Sequence, residues 1–301
     1  MLSMITNKPN ASDFEKQSIR YLDQAIDVLF RLTEHTDTLE EDTGVSREEY
    51  WRYHQGEFAN SVALLFLSIE NQFKARLCAI SPYLLLAGEP RKWGVQGSDK
   101  EFSELFIHSF DDIVVLYVEL GLGVMSPEAR ASLEELRKKR NMISHGVMRE
   151  TLTPESVISL IHQGIMAVWG PRIWWDQLRS HLKASPVFGL HDPEAEVAWT
   201  TVTLERFIEA LGKKKAGDML DINLKSRLYY CPTCTPPLHS DGHDDGSKYS
   251  TLTPNIPAST SLYCIICDTT HTVSRRKCTA SGCLGNVISE DDICLTCFDE
   301  Q

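Results

Sequence analysis

The sequence predicts a mainly α protein: a helical bundle over residues 1–183, then, after a linker, two small β-ribbon modules. Three observations carry this. Apolar residues recur at three- and four-residue spacing through the first 183 residues, and no strand-like alternation rises above that signal. Side chains that cap helices stand in front of these runs. Eight of the nine cysteines fall after residue 230, in pairs, where apolar runs shorten and turns multiply.

Taken in order, Ser12 with Glu15 has capping-box spacing and opens a first helix to about Glu34, with Ile19, Leu22, Ile26, Leu29 and Phe30 as its apolar stripe. The acidic stretch 36–44 is a connection. Ser46 with Glu49 opens a second helix running to Ala79, before Ser81-Pro82, with Phe58, Val62, Leu65, Ile69, Phe73 and Leu77 facing inward. Pro82, Gly88, Pro90, Gly94 and Gly97 mark an irregular excursion around Trp93. Ser98 with Glu101 begins a helical stretch to about Leu120, broken near Ser109. Ser126-Pro127-Glu128 supplies a hydroxyl cap, a proline at the first helical position and a first-turn acid. That helix turns Leu133, Leu136 and Ile143 inward and stops at Gly146. Thr153-Pro154-Glu155 starts the next, interrupted at Gly170-Pro171 and continued through Trp174-Trp175, whose indoles read as core or dimer contacts. Residues 184–226 read as a Pro- and acid-containing linker with a short helix over 204–211, closed by Gly212 and the run 213–215.

A net charge of −12 disfavours indiscriminate nucleic-acid binding over the whole surface but allows a local basic cleft. Lys and Arg cluster at 137–140, 213–215 and 275–277. The first residues lack the basic and apolar regions of a secretory signal, and the longest apolar runs, 62–67 and 113–117, are too short to span a bilayer. A soluble cytoplasmic protein without a membrane partner is expected. In that setting paired cysteines indicate metal before disulfide, and Cys78, alone on an apolar helix face, is a small core residue.

Cys231-Pro232-Thr233-Cys234 and Cys264-Ile265-Ile266-Cys267 are two knuckles 29 residues apart, which together close a tetrahedral zinc site in a ribbon over 227–272. Cys278, Cys283, Cys294 and Cys297 form a second set over 273–301. Two structural zinc ions are expected. Because all eight ligands are thiolates, neither site leaves a position for a reactive water, and no catalytic metal is expected. Sequential pairing is preferred over a cross-brace joining Cys231/Cys234 with Cys278/Cys283, since the last four form a self-contained set. His239, His243 and His271 lie nearby, and His239 is the substitute if a cysteine drops out. Arg275, Arg276 and Lys277 suit nucleic acid or a solvated turn.

The richest chemistry stands at the end of the helix opened by Ser126. Asn141 and His145 are four residues apart and share a face, with Arg140 above Ser144 beside them. Carbonyl dipoles at a helix C-terminus favour a protonated imidazole. A guanidinium beside an imidazole suits a phosphodiester: one holds phosphoryl oxygens, the other moves protons. The same residues, taken alone, fit a solvated basic face with a capping histidine, and Glu70 equally fits an i,i+4 pair with Lys74.

Arg140-Asn141-Met142-Ile143-Ser144-His145 resembles the R-x4-6-H signature of the HEPN superfamily, in the variant where Asn follows Arg. Leu67-Ser68-Ile69-Glu70-Asn71-Gln72-Phe73-Lys74 resembles the helix carrying that family's acidic residue, and the resemblance covers roughly residues 12–170. It implies a HEPN-like bundle and a metal-independent endoribonuclease active as a homodimer, of the kind found in toxin, antiviral and RNA-processing systems. A regulatory protein or antitoxin is then a further partner. By the same resemblance Arg140 and His145 carry catalysis, Asn141 and Glu70 support them with Glu70 holding Arg140, and Arg137, Lys138, Lys139 and Ser144 meet the RNA. Members that have lost activity supply the alternative: an inactive dimeric scaffold whose zinc ribbons bind nucleic acid or a protein.

Overall fold

Two helices, α1 (Ala11–Thr33) and α4 (Gln55–Ile80), form the spine of the N-terminal part. Three small hydroxyls bring their backbones together. Ser18 and Ser68 exchange bonds from each Oγ to the other's carbonyl, both 2.7 Å, and Ser61 Oγ donates to the Ala25 carbonyl at 2.7 Å. Ser18 meets Ser68 while Ala25 meets Ser61, so the helices run antiparallel. All three serines are buried and thereby satisfied. Around them Leu22, Leu29, Phe58, Leu65 and Ile69 are fully buried, at the helical spacing legible in the sequence.

This computed structural model describes residues 5–34, 36, 39–90, 93, 99–146, 150–186, 193–236 and 247–301. The chain is mainly helical and divides into two units, Met1–Leu178 and Arg179–Gln301. The second unit takes in both the segment expected as a linker and the two cysteine modules.

Three expectations for the first unit are corrected. The cap of α1 is Asn10, not Ser12: the Asp13 amide donates to Asn10 Oδ1 at 3.2 Å and the Asn10 amide to Asp13 Oδ2 at 2.9 Å, which places Ser12 inside the first turn. Ser46 and Glu49 do form a capping box, but their helix, α3 (Arg47–Tyr53), ends at His54 and α4 begins afresh. There the Gln55 amide group donates to the Trp51 carbonyl and exchanges bonds with both backbone groups of Leu152. That long-range clasp, with the His54 ring packed on Tyr50 and Tyr53, fixes the break. A short α2 (Leu39–Thr43) precedes α3.

The third correction concerns the helix expected from Ser98, a residue outside those described, as are Gly94 and Gly97. Among the described residues, Phe102–Glu104 make one short 3-10 turn, and the chain to either side of it is held by distant backbone partners. β2 (Lys100–Glu101) pairs in parallel with β1 (Ile5–Thr6), and the amides of Ala87 and His108 bond the carbonyls of Phe106 and Leu85. The helix begins only at α5 (Phe110–Glu119), where Ser109 and Asp112 make their own capping box.

Helices α6 (Pro127–Ser144) and α7 (Pro154–Val168) pack on α4. Gly164 lets α7 approach, since a Cβ there would lie 2.7 Å from Ile69 Cδ1. Arg76 of α4 ties the assembly: Nη1 donates to Tyr117 Oη at 2.9 Å and Nη2 to the Val168 carbonyl at 2.6 Å. In α8 (Ile173–Lys183), Trp174 and Trp175 are fully buried in edge-to-face contact.

In the second unit α9 spans Pro193–Leu220, so most of the expected linker is helical. Pro193, Glu194 and Glu196 are a helix start, a proline and acids in the first turn, rather than linker composition. Gly212, at φ +76°, is non-helical and divides α9 into two helices, so it closes the first as the sequence suggests, while Ala216, Met219 and Leu220 bury beyond it. Strands β3 (Ser250–Leu252), β4 (Ser261–Cys264) and β5 (Thr269–Thr272) form an antiparallel sheet in that order. Tyr229, Leu252, Leu262 and Val273 share one buried cluster with Val287 and Leu295. The two cysteine modules therefore share a small core, and Ile288 buries with Cys278 and Cys294 in a second cluster. Among the described residues, no helix is long and apolar enough to cross a membrane.

Candidate functional site

Ser126 caps α6, its Oγ accepting from the Ala129 amide at 3.1 Å, with Pro127 at the first helical position. Leu133 and Leu136 bury the inner face. At the far end His145 is the cap residue, its amide bonded to the Asn141 and Ile143 carbonyls, and Gly146 takes φ +64° to turn the chain away. His145 and Ser144 are exposed, whereas Arg140 and Asn141 are half-buried.

Arg140 is placed by two neighbours. Its guanidinium carbon lies 4.5 Å from the centroid of the Phe66 ring on α4, and Nη1 donates to Asn141 Oδ1 at 3.0 Å. A cation on a buried aromatic face is attracted to the ring quadrupole and loses orientational freedom. Phe66 is the contact to Arg140 that sequence reasoning missed, because it reads as one more core residue of α4. Its only signal is its position one turn before Glu70.

Glu70 is placed differently from the role the resemblance gave it. Its carboxylate pairs with Lys74 Nζ at 2.9 Å, both side chains being largely buried. Among the described residues no carboxylate lies within ion-pair distance of Arg140. The physical reason is helical geometry, since Lys74 sits one turn along the same face and its flexible chain reaches the carboxylate first.

The other basic residues of the run are engaged by acids. Arg137 makes a forked pair with Glu134, at 3.0 and 2.9 Å, and lies 3.4 Å from Asp111. Lys138 reaches Glu134 at 3.4 Å, and Lys139 pairs with Glu150 at 2.7 Å. The carboxyls of Glu134 and Glu150 are held below their usual range, first by hydrogen bonds from Arg137 and Lys139 respectively. The run is thus largely neutralised, and Arg140 alone within it has no acidic partner among the described residues.

The eight module cysteines separate into Cys231, Cys234, Cys264, Cys267 and Cys278, Cys283, Cys294, Cys297, the sulfurs of each set lying within 4.8 Å of one another. The grouping follows chain order, without a cross-brace. In the first cage Cys231–Cys267 and Cys234–Cys264 are 3.7 and 3.9 Å apart, and in the second Cys278–Cys297 and Cys283–Cys294 are 3.8 and 3.9 Å. A regular tetrahedron with these edges has a centre-to-corner distance of about 2.3–2.4 Å, against about 2.3 Å for a zinc–thiolate bond. Both cages are compatible with structural zinc.

The surroundings fit the same purpose. Hydrogen bonds from Cys234 and Cys264 draw the Cys231 thiol down to about 6, while the same cluster pushes Cys234 up. Thiols this close share protons, and the thiolate is the form that ligates metal. The amides of Ala280 and Gly285 point at Cys278 and Cys283 sulfurs, 3.4 and 3.2 Å away. Gly285 must be glycine, because a Cβ there would stand 2.7 Å from Cys294 Sγ. His271 is not a fifth ligand: its Nε2 lies 3.3 Å from Cys231 Sγ, the place of an outer hydrogen bond that orients a ligand. His239 and His243 lie outside the described residues. Compared with protein-family models, with curated proteins and with solved structures, the chain matches none.

Proposed function

We propose that this protein is a metal-independent endoribonuclease of HEPN type, acting as a homodimer, with two structural zinc ions in its cysteine cages. One observation carries the catalytic part: Arg140, held by Phe66 and Asn141 and free of any acidic partner among the described residues, stands five residues before an exposed His145. A guanidinium already neutralised by a carboxylate has little charge left for a phosphoryl oxygen; this one keeps it.

In the proposed reaction His145 takes the proton of an RNA 2′-hydroxyl. The freed oxygen bonds to the adjacent phosphorus, and the bond from phosphorus to the 5′-oxygen of the next nucleotide breaks. A second imidazole, the partner's His145, returns a proton to that 5′-oxygen. The products are a 2′,3′-cyclic phosphate and a 5′-hydroxyl. Arg140 neutralises charge on the phosphorane, and Asn141 fixes Arg140. Zinc, when bound, would be held by the eight thiolates and supply structure, since a closed set of four thiolates has no position for substrate.

A second reading is favoured by the acid pairing of Arg137, Lys138, Lys139 and of Lys74 with Glu70. A helix end this well neutralised also suits a silent scaffold, with recognition left to the zinc unit. Incubating total RNA with the wild-type protein and with His145→Ala separates the two. The nuclease reading expects wild type to cleave and His145→Ala to lose about 10²–10⁴-fold in rate while remaining folded. No cleavage by either, or equal cleavage by both, favours the scaffold or defeats His145.

A further inference from the structure

The second unit holds a groove of about 610 Å³ that the proposed reaction does not use, lined by side chains of α9, the turn after it and residues 247–249. Its charges are sorted by place. Lys213 and Lys225 line it as exposed cations, without an acidic partner among the described residues. Lys248 is fixed, its Nζ 2.8 Å from the Thr296 carbonyl and 4.4 Å from the centroid of the Tyr230 ring.

One carboxylate lines the same groove. Glu205 Oε1 accepts from Ser247 Oγ at 2.7 Å and from Tyr249 Oη at 3.2 Å. Burial, and then the Glu205 charge, raise the Tyr249 phenol above its ordinary range, so it stays a donor at neutral pH. The other carboxylate oxygen, Oε2, has no donor among the described residues. The lining thus offers two cations without acidic partners and one carboxylate oxygen without a donor among the described residues.

That combination selects among ligands. An acidic peptide would meet the lysines but set its own carboxylates against Glu205. A nucleotide in a single strand carries both halves, anionic phosphates for the lysines and a base edge with N–H donors for the carboxylate. The volume lies within the range of small-ligand sites, about 300–1,000 Å³. We infer that this groove binds single-stranded RNA, with an amino-bearing base against Glu205 and flanking phosphates against Lys213 and Lys225. The inference rests on the ribonuclease reading only for the choice of RNA over other nucleic acid.

The test uses the full chain carrying His145→Ala, so that RNA stays intact, and fluorescence anisotropy with labelled oligocytidine and oligouridine 12-mers. In that background Lys213→Gln with Lys225→Gln should weaken binding at least tenfold and flatten the plot of log affinity against log salt by about 1.4, two phosphate contacts' worth for a single strand. Glu205→Gln should erase the preference for oligocytidine and leave the salt slope unchanged. Zinc content and far-ultraviolet dichroism equal to the parent establish that these surface changes leave the fold intact. Unchanged affinity and slope in the lysine variant would overturn the assignment. So would the absence of RNA binding at micromolar protein, equal affinity for a DNA 12-mer, or tighter binding of an acidic peptide. The two readings fail separately. If wild type never cleaves but the binding changes occur, the groove stands and the nuclease falls. If wild type cleaves and the lysine change alters nothing, the reverse holds.

Discussion

Replacing a single cage sulfur tests how the C-terminal unit is held together. The opposite edges of the two cages, 3.7–3.9 Å, set an expected metal–sulfur distance of about 2.3–2.4 Å with four sulfurs per ion. X-ray absorption at the zinc edge on wild type should therefore fit one shell of four sulfurs at that distance, with no nitrogen or oxygen. Elemental analysis should give two zinc per chain. Cys264→Ser removes a ligand from the first cage only, and Cys294→Ser from the second only, so each variant should keep one ion. Both modules contribute to one shared core of six buried side chains, so each cage supports the packing of the other. Loss of either ion should thus loosen the whole ribbon, read as faster proteolysis after residue 226. Fewer than four sulfurs per ion, or loss of both ions from one substitution, would refute the cage assignment.

Other consequences follow from particular contacts. Asn141→Ala removes the bond to Arg140 Nη1, worth about 1.4 kcal/mol, and should slow RNA cleavage about tenfold. Glu70→Gln disturbs only the Lys74 pair and should change the rate by less than about threefold; the opposite order would return Glu70 to the role of holding Arg140. Arg76→Met leaves the Val168 carbonyl and the Tyr117 hydroxyl without their donor and should destabilise the first unit by about 2–4 kcal/mol in urea titrations, where a loss under 1 kcal/mol would contradict the tie. His271→Ala should speed zinc release to a chromogenic chelator from the first cage alone; acceleration at both cages, or at neither, would remove His271 from that site.

What the sequence made legible divides by range. Caps whose partners lie three residues away were readable: Ser46 with Glu49, Ser126 with Pro127, and Thr153 ahead of Pro154 all open helices. So were the cysteine pairs, because two-residue spacing fixes a knuckle locally. Asn10 was overlooked because Ser12 and Glu15 offer the same pattern two residues later, and local spacing alone does not rank the two. The break at His54 depends on Leu152, and the placing of Lys100–Glu101 and of residues 106–108 depends on Ile5, Thr6 and residues 85–87. No local pattern contains such partners. At the candidate site the order of Arg140, Asn141 and His145 on the helix end was readable. The pairing of its neighbours with Glu134, Asp111 and Glu150 was not, because two of those acids come from other segments. The mistaken linker has a different cause: Pro193 and the acids after it are ambiguous between a disordered composition and a helix N-terminus.

In the proposed reaction Arg140 and His145 drive attack by an RNA's own 2′-hydroxyl. Its most direct test is a substrate with one cleavable nucleotide, assayed by mass spectrometry of the product ends, with that nucleotide as ribose or as 2′-deoxyribose. A 2′,3′-cyclic phosphate and a 5′-hydroxyl are expected from the ribose form, and no cleavage of the deoxy form. Cleavage of the deoxy form, or products ending in a 5′-phosphate, would contradict it.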